Sequence, residues 1–280
     1  MFWKIRGGKL SCAKTLLMGI VNVTPDSFSD GGQFIEPERA AAHALKLIEE
    51  GADILDLGAE SSRPGADPVS TEEELKRLLP VLDRLSGRVS VPLSIDTVKP
   101  EVARACLERG AHIINDVSGL KESGPGILAA VREFEAGLVI MHRRGNAKTM
   151  QDLAIYQDVV KEVFQELEFS VDMALASGVC RDQIAVDPAL GFSKTAEQNL
   201  EIMRQLEKFR EMRLPVVLGP SRKSFIGKIT GRDSGDRTAG TVAACTTAAS
   251  KGNFILRVHD VAAVRDAVKI VEAIEKEIKK

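Results

Sequence analysis

Residues able to do chemistry recur at one position in a repeating pattern. Asn22, Glu60, Asp96, Asn115, His142, Asp187, Ser221 and Arg257 each stand at or beside the end of a short apolar run: LLMGIV, ADILDLGA, VPLSI, HII, GLVIM, IAV, PVVLG and FIL. Carboxylates and amides of this kind hydrogen-bond polar ligands, and the cations hold anions. The following segments enlarge the set. NVTPDSFSDGG (22–32) is too long for a minimal turn. In ESSRPGA (60–66), Pro64 stiffens the backbone beside Arg63 and Gly65 lets it turn. The seventh and eighth runs are followed by SRKS (221–224) and by Arg257 with His259, so Arg222, Lys223, Arg257 and His259 form a cationic group.

The elements that must position these residues are legible in the same runs. Each is short, rich in Val, Ile and Leu, and separated from the next by a helical pattern, which is how a parallel strand buried on both faces reads. Eight strand-plus-helix units predict an α/β fold, a closed (β/α)8 TIM barrel, whose carboxyl-end loops carry the active site and whose last two loops often hold phosphate. The cationic group therefore implies a phosphorylated ligand. PEVARACLERG reads as a connecting helix opened by Pro100 and closed by Gly110. Thr71 with Glu74 and Thr195 with Gln198 have capping-box spacing. Ala41, Ala44, Leu45 and Ile48 share one helix face, and a last helix is predicted from about Val261 to Ile278.

The chain has 280 residues, and barrels of this kind take about 250 as one domain. The expected organisation is an N-terminal extension or edge segment, 1–14, and a barrel over 15–280. A net charge of −2, with 38 basic and 40 acidic residues interspersed, leaves no stripe for nucleic acid and favours small-molecule partners. Cys12, Cys106, Cys180 and Cys245 lack metal or redox spacing. No apolar stretch reaches the roughly 18 residues of a membrane span, and the first residues do not read as a secretory signal, so a cytoplasmic protein is expected.

In order along the chain, MGIVNVTPDSFSDGG, DLGAESSRPGA, SIDT, INDVSG, VIMH, DPALGFSKT, LGPSRKSFIG and RVHDV resemble the signature loops of the dihydropteroate synthases, within the pterin-binding barrel family. Two departures stand out: Ala189 and Ser193 occupy positions where that family usually has glycine, and Ser62 stands where threonine is common. The resemblance implies a transferase of folate synthesis, a sulfonamide target, in which 4-aminobenzoate displaces pyrophosphate from 6-hydroxymethyl-7,8-dihydropterin diphosphate. It implies that Asp187 and Asn115 read the pyrimidine edge, Lys223 the carbonyl side, and that Asp96 lies near the reacting carbon. Val117, Met141, Phe192 and Gly219 would wall the ring. Arg63, Arg257 and His259 would hold the phosphates, Asn22 a Mg²⁺ ion, and Ser62, Pro64, Phe192, Arg222, Lys223 and Ser224 the aminobenzoate. Asp96, Lys223, Arg257 and His259 are the catalytic candidates. A homodimer is also implied.

Each reading has a plain competitor. Asp96 and Asp187 could cap following helices, Lys223 could be a solvated charge, and His43, His112 and His142 read as a helix-surface, a strand-edge and a structural residue, not a metal set. Rival functions are a methyltetrahydrofolate–corrinoid methyltransferase of the same superfamily, a Schiff-base aldolase using Lys223, and a pterin-binding protein without turnover. The methyltransferase has no use for the cationic group, Lys223 beside phosphate stays charged, and a mere binder does not need leaving-group residues.

Overall fold

The computed structural model describes residues 1–24, 36–61 and 65–278. An N-terminal hairpin, β1 (Phe2–Ile5) and β2 (Gly8–Ser11), precedes eight parallel strands: β3 (Leu16–Asn22), β4 (Ile54–Gly58), β5 (Leu93–Asp96), β6 (Ile113–Asp116), β7 (Gly137–Met141), β8 (Ile184–Asp187), β9 (Val217–Leu218) and β10 (Ile255–Val258). Their order is β8-β7-β6-β5-β4-β3-β10-β9, and a parallel bridge between Val186 and Val216 brings the two ends together. The eight apolar runs are these eight strands. Helices flank them, among them α1 (Glu36–Glu49), α2 (Thr71–Leu85), α3 (Pro100–Glu108), α4 (Gly124–Glu133), α5 (Val159–Ala176), α6 (Ala196–Arg204), α7 (Glu207–Arg210), α8 (Ser224–Thr230), α9 (Thr238–Lys251) and α10 (Val261–Ile278).

Alternation along the strands sorts side chains into two cores, because successive residues of a strand face opposite ways. Leu17, Leu55, Leu57, Ile95, Ile114, Leu138, Ile140, Val186 and Leu256 pack outward into the large cluster under the helices. Met18, Ile54, Ile113, Val139, Ala185, Val217 and Ile255 point inward and form a separate cluster near the amino ends of the strands. Two residues further along each strand, that inward face carries Asp56, Asn115, Met141, Asp187, Gly219 and Arg257. The polar residues thus sit one layer above a dry floor.

The floor is closed by the N-terminal segment, expected only as an extension or edge. Trp3 and Ile5 of β1 join the inward cluster, fully or nearly fully buried. The indole Nε1 donates to the Gln183 carbonyl at 2.8 Å, and Arg6 donates to the Leu107 carbonyl at 2.5 Å. Gly7, at φ +77°, makes the two-residue turn that folds β2 back on β1.

Three local expectations need correction. The N-cap of α2 is Ser70, whose hydroxyl accepts from the Glu73 amide at 3.2 Å, so Thr71 lies in the first turn. Leu45 is exposed, and the buried face of α1 runs through Ala40, Ala44 and Leu47 instead. On α10 the expected apolar stripe through Val264, Val268, Val271 and Ile278 is buried at Val264 and Val268 but only half-buried at Val271, and the Ile278 side chain lies outside the described residues. The box at Thr195 and Gln198 forms as expected, and Gly110 takes φ +95° after α3.

Removing the plug should leave a cavity in the floor. Trp3→Ala is expected to destabilise the chain by about 3–5 kcal/mol, read as a lower denaturation midpoint in urea. Unchanged stability would show that the hairpin does not support the barrel.

Candidate active site

At the carboxyl ends of the strands the backbone brings the chemistry into register. Asn22 pairs with Gly58, Gly58 with Asp96, and Asp96 with Asn115, while Met141 pairs with Asp187 between β7 and β8. Gly58 fits this row because a methyl group there would come within 3.3 Å of the Asp96 Cβ.

At the centre is an ion cluster in which Asp56, which the sequence reading passed over, is the hub. It is fully buried on β4. Its Oδ1 accepts from the Ser94 hydroxyl at 2.6 Å, and its Oδ2 accepts from Arg257 Nε at 2.6 Å and Asn115 Nδ2 at 3.2 Å. Arg257 also donates through Nη2 to Asp96 Oδ2 at 2.9 Å. A signal was present: an aspartate inside the apolar strand ILDLG must find a partner, since a buried lone charge is prohibitively costly. Two N–H groups of Arg257 are therefore committed to carboxylates, on a side chain that is partly exposed.

The two strand-end carboxylates are unusual acids. Burial pushes Asp96 up to about 7, with Arg257 opposing and Asp56 adding to the rise. Burial likewise pushes Asp187 up to about 6, against the Ala189 amide, Lys223 and Arg257. Arg257 is held above its ordinary value: burial works against its charge, but Asp56, Asp96 and Asp187 outweigh it. Neither aspartate caps a helix. The N-cap of α3 is Lys99, without a side-chain bond, and Asp187 Oδ1 accepts from the nearby Ala189 amide at 2.6 Å.

An apolar wall stands beside these groups. Val117, Met141, Met150, Ala189 and Phe192 form one cluster. The Lys223 ammonium lies 4.0 Å from the centre of the Phe192 ring. Above Gly219, a side chain would meet nothing within 4 Å. Arg222, with φ +56°, turns its guanidinium to Asp260, at 2.6 and 3.1 Å. The Ser221 hydroxyl lies 3.0 Å from His259 Nδ1 and accepts from the His259 amide at 3.2 Å, which orients the imidazole. Ser224 is exposed at the start of α8. Ser62, Arg63 and Pro64, and most of the 22–32 loop, lie outside the described residues.

Among the described residues no group of three or more His, Cys, Asp or Glu side chains is arranged to hold a metal. His142 is buried, bonded to Glu166 and Lys194, and burial brings it down to about 3. His112 accepts from the Leu93 amide. No helix among the described residues is long and apolar enough to cross a membrane.

Comparison with known proteins places this geometry. Residues 18–259 match the family model described as pterin binding enzyme. The chain is 45% identical to the dihydropteroate synthase of Synechocystis over 93% of its length and 90% of that protein. It is 41% identical to that of Escherichia coli over 96% and 94%. Three solved structures superimpose closely. A Yersinia pestis dihydropteroate synthase with a sulfonamide drug complex has a TM-score of 0.92 at 37% identity, covering 99% of this chain and 100% of that one. A Xanthomonas albilineans dihydropteroate synthase with 4-aminobenzoic acid has a TM-score of 0.91 at 44% identity, covering 98% and 99%. The same Xanthomonas enzyme with 7,8-dihydropteroate gives 0.88 at 42% identity over 98% and 99%. The chain belongs to the pterin-binding enzyme family and, within it, to the dihydropteroate synthases, the transferases that make dihydropteroate for folate synthesis.

Proposed function

We propose that the ring of strand ends is where 4-aminobenzoate displaces pyrophosphate from 6-hydroxymethyl-7,8-dihydropterin diphosphate. The observation that carries this assignment is the Arg257 guanidinium spanning Asp56 and Asp96, in the layer that also holds Asn115 and Asp187. Hydrogen-bond acceptors for a flat heterocycle and donors for an anion thereby meet within one side chain's reach.

The residues divide the work by chemistry. The pterin offers an N–H and an amino group side by side, which a carboxylate accepts as a fork, and Asp187 is the acceptor we assign to them. Asn115 spends its amide N–H on Asp56, which leaves its carbonyl for the same edge. Asp96 stands by the ring nitrogens next to the reacting carbon, and Lys223 donates to the ring carbonyl from its place on Phe192. Val117, Met141 and the bare face over Gly219 enclose the ring. The bond from the exocyclic carbon to the diphosphate oxygen breaks, and its electron pair leaves with pyrophosphate. The outer N–H groups of Arg257 and the imidazole of His259 stabilise that charge as it develops. The electron-rich ring supports the positive carbon until the arylamine nitrogen bonds to it, and the amine proton then passes to solvent or the departing anion. An aromatic amine is unprotonated at neutral pH, so no side chain need act as a strong base. Phe192, Lys223 and Ser224 line the aminobenzoate side, with Arg222 kept in place by Asp260.

A magnesium ion fits the donor set through Asn22. Mg²⁺ at phosphates takes one or two protein oxygens and draws the rest from phosphate and water. Asn22 offers one amide oxygen for such an ion, at the row of strand ends. When bound, the ion would neutralise phosphate charge. We also infer a homodimer through the last helices, where Ile270 and Ile274 are exposed, and a cytoplasmic location, which suits four free cysteines.

The direct test supplies the dihydropterin diphosphate, Mg²⁺ and labelled 4-aminobenzoate. Labelled dihydropteroate and pyrophosphate should appear in equal amounts. Pyrophosphate without label transfer would reduce the activity to hydrolysis and overturn the reading.

The raised carboxylates have a signed consequence. The folded chain holds protons on Asp96 and Asp187 that the unfolded chain, with ordinary carboxylates near 4, has released. Their stabilising contribution is thus full below about pH 4 and is lost as pH rises through about 6 and 7. Asp187→Asn should therefore weaken pterin binding by at least about tenfold, while its melting temperature falls less than that of the wild type between pH 5 and pH 8. Calorimetry and thermal scans check both, and unchanged pterin affinity would remove Asp187 from the site. Arg257→Ala should lower turnover and also destabilise by about 3–5 kcal/mol, because it strands Asp56. His259→Ala should lower turnover with little change in stability. A fully active Arg257→Ala variant would place the phosphates elsewhere.

A further inference from the structure

The loop from β8 to α6 carries Phe192, and its backbone is not one the sequence would adopt unaided. Ala189, at φ +60°, and Ser193, at φ +52°, are left-handed residues with side chains, and Gly191 between them stands at φ +85°. Such conformations persist only where the surroundings over-determine them. Here the determinant is a buried side chain that the reaction does not use. Lys194 is 3% exposed. Its ammonium donates to the Ala189 carbonyl at 3.1 Å, to the Phe192 carbonyl at 3.0 Å and to His142 Nδ1 at 3.0 Å. Three N–H bonds meet three acceptors, two of them on the loop.

The third acceptor ties the loop to the barrel. His142 follows β7, and its Nε2 lies 3.2 Å from Glu166 Oε2 on α5. Glu166 in turn accepts from Arg144 Nε at 2.8 Å, and Arg144 stacks 3.9 Å from the centre of the Tyr156 ring. With Nδ1 accepting from Lys194, the proton of the neutral imidazole sits on Nε2, facing the carboxylate. The Ser193 hydroxyl donates to the Arg144 carbonyl at 2.7 Å and accepts from the Arg144 amide at 2.9 Å. Gly191 donates to Asn199 at 2.7 Å, and any methyl there would press to 3.0 Å on the Lys223 stem. The curve of the loop thus sets where the Phe192 ring meets Lys223.

We propose that Lys194 is a positioning residue for the arylamine: by holding the Ala189 and Phe192 carbonyls from within, it fixes the Phe192 ring and Lys223 at the spacing that receives 4-aminobenzoate. This rests on the reading of the site given above. Burial brings the Lys194 amine down to about 7, with Asp187 and Glu166 supporting its charge and Arg144 and Lys223 opposing it. A free amine has one proton fewer, so one of the three acceptors goes unpaired as the charge is lost. The same cage is therefore tightest on the acid side.

The test replaces Lys194 with Met, which keeps the stem and removes the donors. The KM for 4-aminobenzoate at saturating dihydropterin diphosphate should rise by at least about tenfold, the scale of one orphaned carbonyl. Calorimetric affinity for the pterin diphosphate alone should fall by a clearly smaller factor than the aminobenzoate KM rises, since Lys223 also reaches the ring but Asp187 is set by its strand. Lys194→Arg, charged at every working pH, should recover part of the loss and flatten any rise of KM above pH 7 seen in the wild type. If Lys194→Met does not fold, His142→Gln, which alters one of the three acceptors, should shift the aminobenzoate KM in the same direction by a smaller factor. An unchanged aminobenzoate KM in a folded Lys194→Met or His142→Gln variant overturns the proposal, as does equal weakening of both substrates. A wild type that makes no dihydropteroate overturns the underlying reading as well.

Discussion

The pairing of Arg257 with Asp56 inside the barrel constrains everything built around it. Asp56 is fully buried, and a carboxylate there is tolerable only because guanidinium, hydroxyl and amide donors converge on it. Those donors come from β10, β5 and β6, so the pair fixes the relation of distant parts of the chain. It also dictates what Asp96 and Asn115 can offer outward, since each has one face turned to the cluster. The dry layer below, capped by Trp3, removes the alternative of hydration from beneath.

Charge counting alone overstates the cations. Of the group that follows the last two strands, Arg222 is neutralised by Asp260 and Arg257 is half-engaged with aspartates, whereas Lys223 rests on an aromatic face. Each cation is aimed by a partner, and the aim, more than the sign, decides what it can hold. The raised Asp96 and Asp187 show the converse. Burial disfavours the charged form of both, although cationic groups stand close to each.

The fold was almost wholly legible because parallel strands buried on both faces leave an unmistakable trace: eight Val-, Ile- and Leu-rich runs are the eight strands. The candidate site residues were found where strands end, and the structure gathers Asp96, Asn115, Asp187, Lys223, Arg257 and His259 at that rim, although their roles rest on resemblance and chemistry. Other features left weaker traces. Asp56 was hidden by its position inside a strand, two residues before the strand's end, where pattern reading expects only packing. Lys194 was hidden because its meaning lies in two carbonyls and a histidine about fifty residues away, a relation no local window contains. The hairpin of β1 and β2 escaped because four-residue strands carry too little periodicity, and Trp3 declares itself only once there is a floor to fill. Ser70 displaced Thr71 as a cap because both residues qualify and only the backbone turn chooses.

With Trp3 and Ile5 packed into the floor, the described residues leave the carboxyl ends of the strands as the open side of the barrel. Under the assignment proposed above, the flat ring and its diphosphate would enter before the arylamine and would leave only after an occupant lodged against Phe192 had gone. A molecule that resembles the aminobenzoate but cannot be turned over would therefore act as a stopper as well as a rival, lengthening the stay of what lies beneath it.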